Sequence, residues 1–257
     1  MNKEEESQLI KFVKKEVEFP TLGSEKLKLK GTLFLPEGKD PFPGVIFYHG
    51  SGSSRIGFLP IGEELAQNEI ANLAFDFRGC GQSPEELSGL CLSEREFDAH
   101  SALHFLINQA KVDEKRIGIS GSSMGAPQTV LMAALHKDSV SSLLLRAPAA
   151  YSDFYSGERF GTYKQTYERG GAWKNSITFT YLTRFKGDIL IVESENDEII
   201  PHYVVKRYLD NAKKARTREL HVIKGATHNL GEADSPFRQE FNKVAANWFL
   251  RTLQGSG

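Results

Sequence analysis

Three side chains of complementary chemistry stand just beyond apolar runs: Ser123 in Gly121-Ser122-Ser123-Met124-Gly125, Asp197 in Glu195-Asn196-Asp197-Glu198, and His228 in Gly225-Ala226-Thr227-His228-Asn229. A serine hydroxyl is a poor nucleophile at neutral pH until an imidazole takes its proton, and a carboxylate behind the imidazole holds the productive tautomer. The set therefore predicts acyl transfer, with Ser123 as nucleophile, His228 as general base and Asp197 as the orienting acid. Ser120 and Ser122 lack the paired glycines and read as strand packing and turn hydrogen bonding. Glu193 and Glu195 are rival acids, expected to be solvated loop carboxylates. Of the other histidines, His100, His104 and His136 fall in or at the ends of helical patterns, His221 inside a strand and His202 at a helix start.

The pattern around Ser123 is G-x-S-x-G between an apolar run and a helical one. A sharp strand-to-helix turn of this kind lifts the serine out of the chain, and glycines on either side let neighbouring backbones approach closely. The Met124 N–H at the helix start would face a developing oxyanion. A second donor is expected from the glycine-containing loop 48–54, where the Ser51 N–H is the candidate and His49 reads as a structural hydrogen-bonding residue. Another glycine turn, Asp76-Phe77-Arg78-Gly79-Cys80-Gly81-Gln82-Ser83, lacks the Lys-Ser/Thr ending of a phosphate-binding loop.

The elements that must position these groups follow from periodicity. Two extended stretches, 13–21 and 27–36, the second alternating apolar and polar residues, predict an antiparallel edge ribbon. Short continuous apolar runs follow at 44–48, 71–77, 116–120, 140–146, 188–193 and 219–223, separated by helical patterns at 62–68, 94–110, 125–136, 202–213 and 237–253. Buried strands alternating with amphipathic helices predict an α/β fold: a mostly parallel twisted sheet with helices on both faces. The three candidate groups then lie beyond strand C-termini, where such sheets gather ligands.

At 257 residues, one domain spanning 1–257 is expected. The segment 150–184 breaks the alternation and holds nine of the 27 aromatic residues, which predicts a lid or cap inserted before the strand that carries Asp197. Tyr151, Tyr155, Tyr163, Tyr167 and Trp173 are its candidate substrate-binding residues, with Tyr181 beside them. Their flat apolar bodies and polar tips suit an aromatic or modest acyl group. With 32 basic and 33 acidic side chains, no net field exists to collect nucleic acid or a membrane surface, and a small molecule is the expected partner. The acidic start of the chain, Met-Asn-Lys-Glu-Glu-Glu, is unlike a secretory leader, so a cytoplasmic location is expected. Two cysteines, Cys80 and Cys91, make neither a disulfide framework nor a zinc site, and no metal or organic cofactor is required.

The residues together resemble the α/β-hydrolases, in particular the dienelactone-hydrolase-like and feruloyl or cinnamoyl esterase-like group. The resemblance is carried by His49-Gly50, Asp76-Phe77-Arg78-Gly79-x-Gly81-x-Ser83, Gly121 to Gly125, Asn196-Asp197-x-x-x-Pro201 and Gly225-Ala226-x-His228, in that order. It implies an α/β-hydrolase fold and a serine carboxylic-ester hydrolase acting through an acyl-enzyme on small to medium esters, feruloyl-type esters among them. Dienelactone hydrolases proper use cysteine where this chain has Ser123, which favours esterase over lactonase. Epoxide hydrolases and haloalkane dehalogenases would need aspartate at that position. A serine peptidase of the prolyl-oligopeptidase kind and a non-catalytic binding protein on the same fold are the alternatives.

Overall fold

The computed structural model describes residues 11–39, 41–152, 157–161 and 173–255. Its strands are β1 (Phe12–Thr21), β2 (Ser24–Pro36), β3 (Phe42–Tyr48), β4 (Ala71–Phe75), β5 (Val112–Ser122), β6 (Val140–Arg146), β7 (Asp188–Ser194) and β8 (Thr217–Ile223). β3, β4 and β7 are buried at every position and β6 at all but one, so both faces of these strands need cover. They accordingly occupy the interior of an eight-stranded sheet of order β1-β2-β4-β3-β5-β6-β7-β8. β1, with exposed Lys14, Lys15, Glu16 and Glu18, takes an edge that can tolerate water.

β1 pairs with β2, and β2 with β4, antiparallel; all remaining pairs are parallel. This is the expected mostly parallel sheet with an antiparallel N-terminal edge. Side-chain alternation sends successive core residues to opposite faces. One face packs against α2 (Leu92–Ile107), α3 (Gly125–Leu135) and α5 (His202–Asn211) through Leu103, Val130 and Tyr208. The other packs against α1 (Leu59–Gln67) and α6 (Pro236–Leu253) through Leu65, Phe241 and Trp248.

Two departures from the expected elements have simple causes. β5 starts at Val112, through Asp113-Glu114-Lys115-Arg116, because those charges lie at the sheet rim, where Arg116 bonds Asp113 and the Pro41 carbonyl. A short helix α4 (Thr178–Leu182) appears within the segment expected to be a lid, and it buries Phe179 and Leu182 in the main core. Among the described residues, no helix is long and apolar enough to cross a membrane. Cys80 and Cys91 are both free thiols.

Candidate active site

Parallel strands all finish at one edge of the sheet, and the predicted groups meet there. Ser123 follows β5 directly and takes φ +49°, a left-handed conformation that is uncommon outside glycine and marks a tight elbow. The surrounding structure holds this strained turn in place. The Ser123 N–H donates to the Arg146 carbonyl at 2.9 Å, and the Ser123 carbonyl accepts from Ala149 N–H at 3.1 Å. The glycines on either side are required by space. A Cβ on Gly121 would run into the Thr129 hydroxyl and the Gly125 carbonyl, and one on Gly125 into the carbonyls of Tyr48 and His49.

The turn after β7 presents Asp197. Its Oδ1 accepts backbone N–H bonds from Ile199 (2.9 Å) and Ile200 (2.8 Å), which anchors the carboxylate with its remaining lone pairs turned toward His228. The His228 Nδ1 lies 2.9 Å from Asp197 Oδ2 and 3.0 Å from Oδ1, while its Nε2 lies 3.1 Å from Ser123 Oγ. Burial alone would push the Asp197 carboxyl up, but hydrogen bonds from the His228 ring and the two backbone amides outweigh it and hold the group below the usual carboxylate range. A carboxylate that stays ionised requires the proton on Nδ1, which leaves Nε2 with a lone pair directed at the serine hydroxyl.

The His228 backbone is held from both sides. Its N–H donates to Glu198 Oε2 at 3.0 Å, and its carbonyl accepts from the Arg146 guanidinium. Sequence reasoning missed both partners. Glu198 adjoins the candidate acid and could have been suspected, whereas an arginine closing an apolar strand carries no local signal of a contact 82 positions away.

The rival carboxylates are engaged elsewhere. Glu195 binds Lys224 Nζ and Gly225 N–H, both at 2.8 Å. Glu193, next to last in β7, is buried and bonds His202 Nδ1 at 2.6 Å, so it is no solvated loop group; the strand runs one residue beyond the expected 188–193.

The loop 48–54 lies against the elbow, with the Gly50 Cα so placed that a Cβ would meet Ser123 Cβ at 3.1 Å. Among the described residues, neither the Ser51 N–H nor the Met124 N–H donates to a protein acceptor. His49 is fully buried and structural: Phe77 N–H donates to its Nε2 at 3.0 Å, and its Nδ1 bonds the Gly50 carbonyl at 2.7 Å. Burial, reinforced by nearby Arg95, lowers its pKa to about 3. The glycine turn 76–83 is likewise structural. Buried Asp76 accepts from the Arg55 guanidinium and from Arg55 and Gln82 N–H, and Arg78 bonds Asp98.

Tyr151 lines a 230 Å³ cleft, together with Leu92, Pro127, Gln128 and Tyr181, beside the first turn of α3. Trp173 stands instead against Tyr203 (centroids 4.7 Å apart) and Arg207 of α5. Tyr155, Tyr163 and Tyr167 lie outside the described residues.

The Hydrolase_4 family, described as serine aminopeptidase, S33, matches residues 39–169, just over half of the chain, which include the loop 48–54 and the elbow but neither Asp197 nor His228. Two curated proteins are similar in sequence. Acyl-coenzyme A amino acid N-acyltransferase 2 of Rattus norvegicus is 26% identical over 232 residues, covering 82% of this chain and 54% of that protein. Peroxisomal succinyl-coenzyme A thioesterase of Mus musculus is 30% identical over 139 residues, covering 54% and 30%. The chain thus spans about half the length of the first of these relatives and less of the second. In fold it is similar to Est1E of Butyrivibrio proteoclasticus, whose structure holds ferulic acid, with a TM-score of 0.73 at 18% identity over 93% of this chain and all of that one. Fold, elbow and family match agree, and the chain belongs to the Hydrolase_4 family as an enzyme of the α/β-hydrolase type.

Proposed function

We propose that the chain hydrolyses carboxylic esters or thioesters of small to medium acyl groups, hydroxycinnamoyl esters among them, through a serine-bound acyl intermediate. The observation that carries this reading is the His228 ring bridging Asp197 and Ser123 through its two nitrogens, at 2.9 and 3.1 Å. The thioesterase among the relatives and the ferulic acid bound by the Est1E structure support the substrate range. We read residues 1–257 as one hydrolase domain, with 150–184 as its lid and the cleft at Tyr151 as its acyl pocket.

In this mechanism the Ser123 oxygen attacks the substrate carbonyl as His228 Nε2 takes its proton. The carbonyl oxygen becomes negative and receives the Ser51 and Met124 N–H groups, donors held ready without rearrangement. The imidazolium formed is stabilised by Asp197, which stays ionised. Collapse breaks the bond to the alkoxide or thiolate, the leaving group departs with the proton from Nε2, and Ser123 remains acylated. Water then adds to the acyl carbon while giving a proton to Nε2, and collapse returns that proton to the serine and frees the acid.

The family description favours a second reading, amide cleavage next to an N-terminal residue by the same groups. One experiment separates the two. p-Nitrophenyl acetate, hexanoyl-CoA, methyl ferulate and alanine p-nitroanilide are offered to the wild type and to Ser123→Ala. Ester or thioester turnover that falls by about 10⁴-fold or more in the variant is expected. Turnover of the anilide alone would transfer the proposal to peptide chemistry, and an active Ser123→Ala would remove its nucleophile.

A further inference from the structure

Arg146 occupies a position where the strand pattern calls for an apolar residue. It ends β6 between β5 and β7, in register with Ser122 on one side and Val192 on the other. By alternation its side chain shares a face with Leu144, toward α6, and it is only 9% exposed. Its backbone and its guanidinium have different tasks. The carbonyl accepts from Ser123 N–H at 2.9 Å, and the next residues turn sharply through Ala147 (φ +42°) so that Ala149 N–H reaches the Ser123 carbonyl. The guanidinium extends to the other half of the site, where Nη2 donates to the His228 carbonyl. One residue of a central strand therefore binds the nucleophile's backbone and the base's backbone at once.

The charge of this group is costly where it sits. Burial, with Arg238 nearby, lowers its pKa to about 10, while Asp197 and Glu198 oppose that shift; the guanidinium stays a cation at neutral pH. Among the described residues, its buried Nε has no hydrogen-bond partner. An arginine kept under such conditions implies a task that an apolar residue could not do.

We propose that Arg146 is a positioning residue for hydrolysis, a strut that sets the separation of Ser123 and His228 by holding the elbow with its carbonyl and the base loop with its guanidinium. The proposal rests on the reading of Ser123 as nucleophile and His228 as base. The effect belongs in kcat, because proton transfer between these groups depends on their distance, and a misplacement of about 1 Å costs about 100-fold. Glu198 holds the His228 N–H but leaves its carbonyl free to swing, so it cannot substitute.

The test compares wild type, Ser123→Ala, Arg146→Met and Arg146→Lys for p-nitrophenyl acetate hydrolysis, with melting temperatures recorded alongside. We expect Arg146→Met to lose about 100-fold in kcat with KM within about threefold. Millimolar ethylguanidinium should restore at least about tenfold of that loss, urea at the same concentration should restore none, and Arg146→Lys should fall between the two. A role confined to stability would lower the melting temperature without a response to ethylguanidinium. That result, or a kcat for Arg146→Met within about threefold of wild type, overturns the strut while leaving the hydrolase reading intact. If Arg146→Met does not fold, Arg146→Lys carries the test, and unchanged kcat in that variant with a lowered melting temperature overturns the strut. An inactive wild type, or an active Ser123→Ala, overturns both readings together.

Discussion

His49 shows how a residue beside the candidate nucleophile can be fixed in a purely structural state. It is enclosed, it accepts from Phe77 N–H, and its pKa is lowered to about 3. The folded protein thus holds His49 neutral, whereas the unfolded chain protonates it near the ordinary value of about 6.5. A folded pKa below the unfolded one gives stability that is complete above about pH 6.5 and is lost as pH falls toward 3. Between pH 6.5 and 4.5 the loss from this residue is about 2–3 kcal/mol. Urea unfolding at the two pH values should show it, and His49→Asn should have a shallower dependence; equal slopes for both proteins would discredit this account. The three candidate groups were legible in the letters because each stands in a short loop beyond an apolar run, and the structure places them within hydrogen-bond distance of one another. Arg146 was not, because its meaning depends on the register of β5, β6 and β7, which no local pattern encodes. Glu193 was misread for a related reason: a strand end that is polar by composition can still be buried.

At the scale of elements, the elbow is a packing constraint shared by β3, β5 and α3. Gly125 begins α3 against the end of β3 and the loop that follows it, with the carbonyls of Tyr48 and His49 where a Cβ would go. Backbone cannot yield as a flexible side chain can, so Gly125→Ala must push α3 away from β3. We expect a destabilisation of about 2–3 kcal/mol and a drop in melting temperature of about 5 °C or more. A calorimetric scan that leaves the variant within about 1 °C of wild type would contradict the close approach. The position of all eight strands was legible, β3 to β7 because apolar runs this short, alternating with helical patterns, fit buried strands better than helices; β8, expected to be buried, is instead the half-exposed outer edge of the sheet. The helix α4 was not, because so short a helix, stabilised by burying Phe179 and Leu182, is set by the core it enters rather than by its own periodicity.

At the scale of the whole molecule, charge is nearly balanced, at a formal −1 with an isoelectric point near 6.7. Proteins repel one another least where net charge vanishes, so solubility should pass through a minimum close to pH 6.7 and improve on either side. Light scattering across pH 5.5–8.5 at fixed ionic strength tests this directly; a monotonic trend would mean that surface patches, not net charge, govern association. The same balance leaves specificity to the site and its surroundings.

The order of the strands has a consequence for how the protein comes into being. Ser123 precedes β6 along the chain, whereas the His228 imidazole that it faces arrives with the loop after β8, roughly 80 residues beyond the end of β6. A ribosome adding about 5–20 residues per second needs several seconds to cross that interval. Throughout it, a growing chain has the serine but not yet the imidazole that faces it. On the reading of Ser123 and His228 as nucleophile and base, activity during translation should appear only after the loop beyond β8 has been made and has docked.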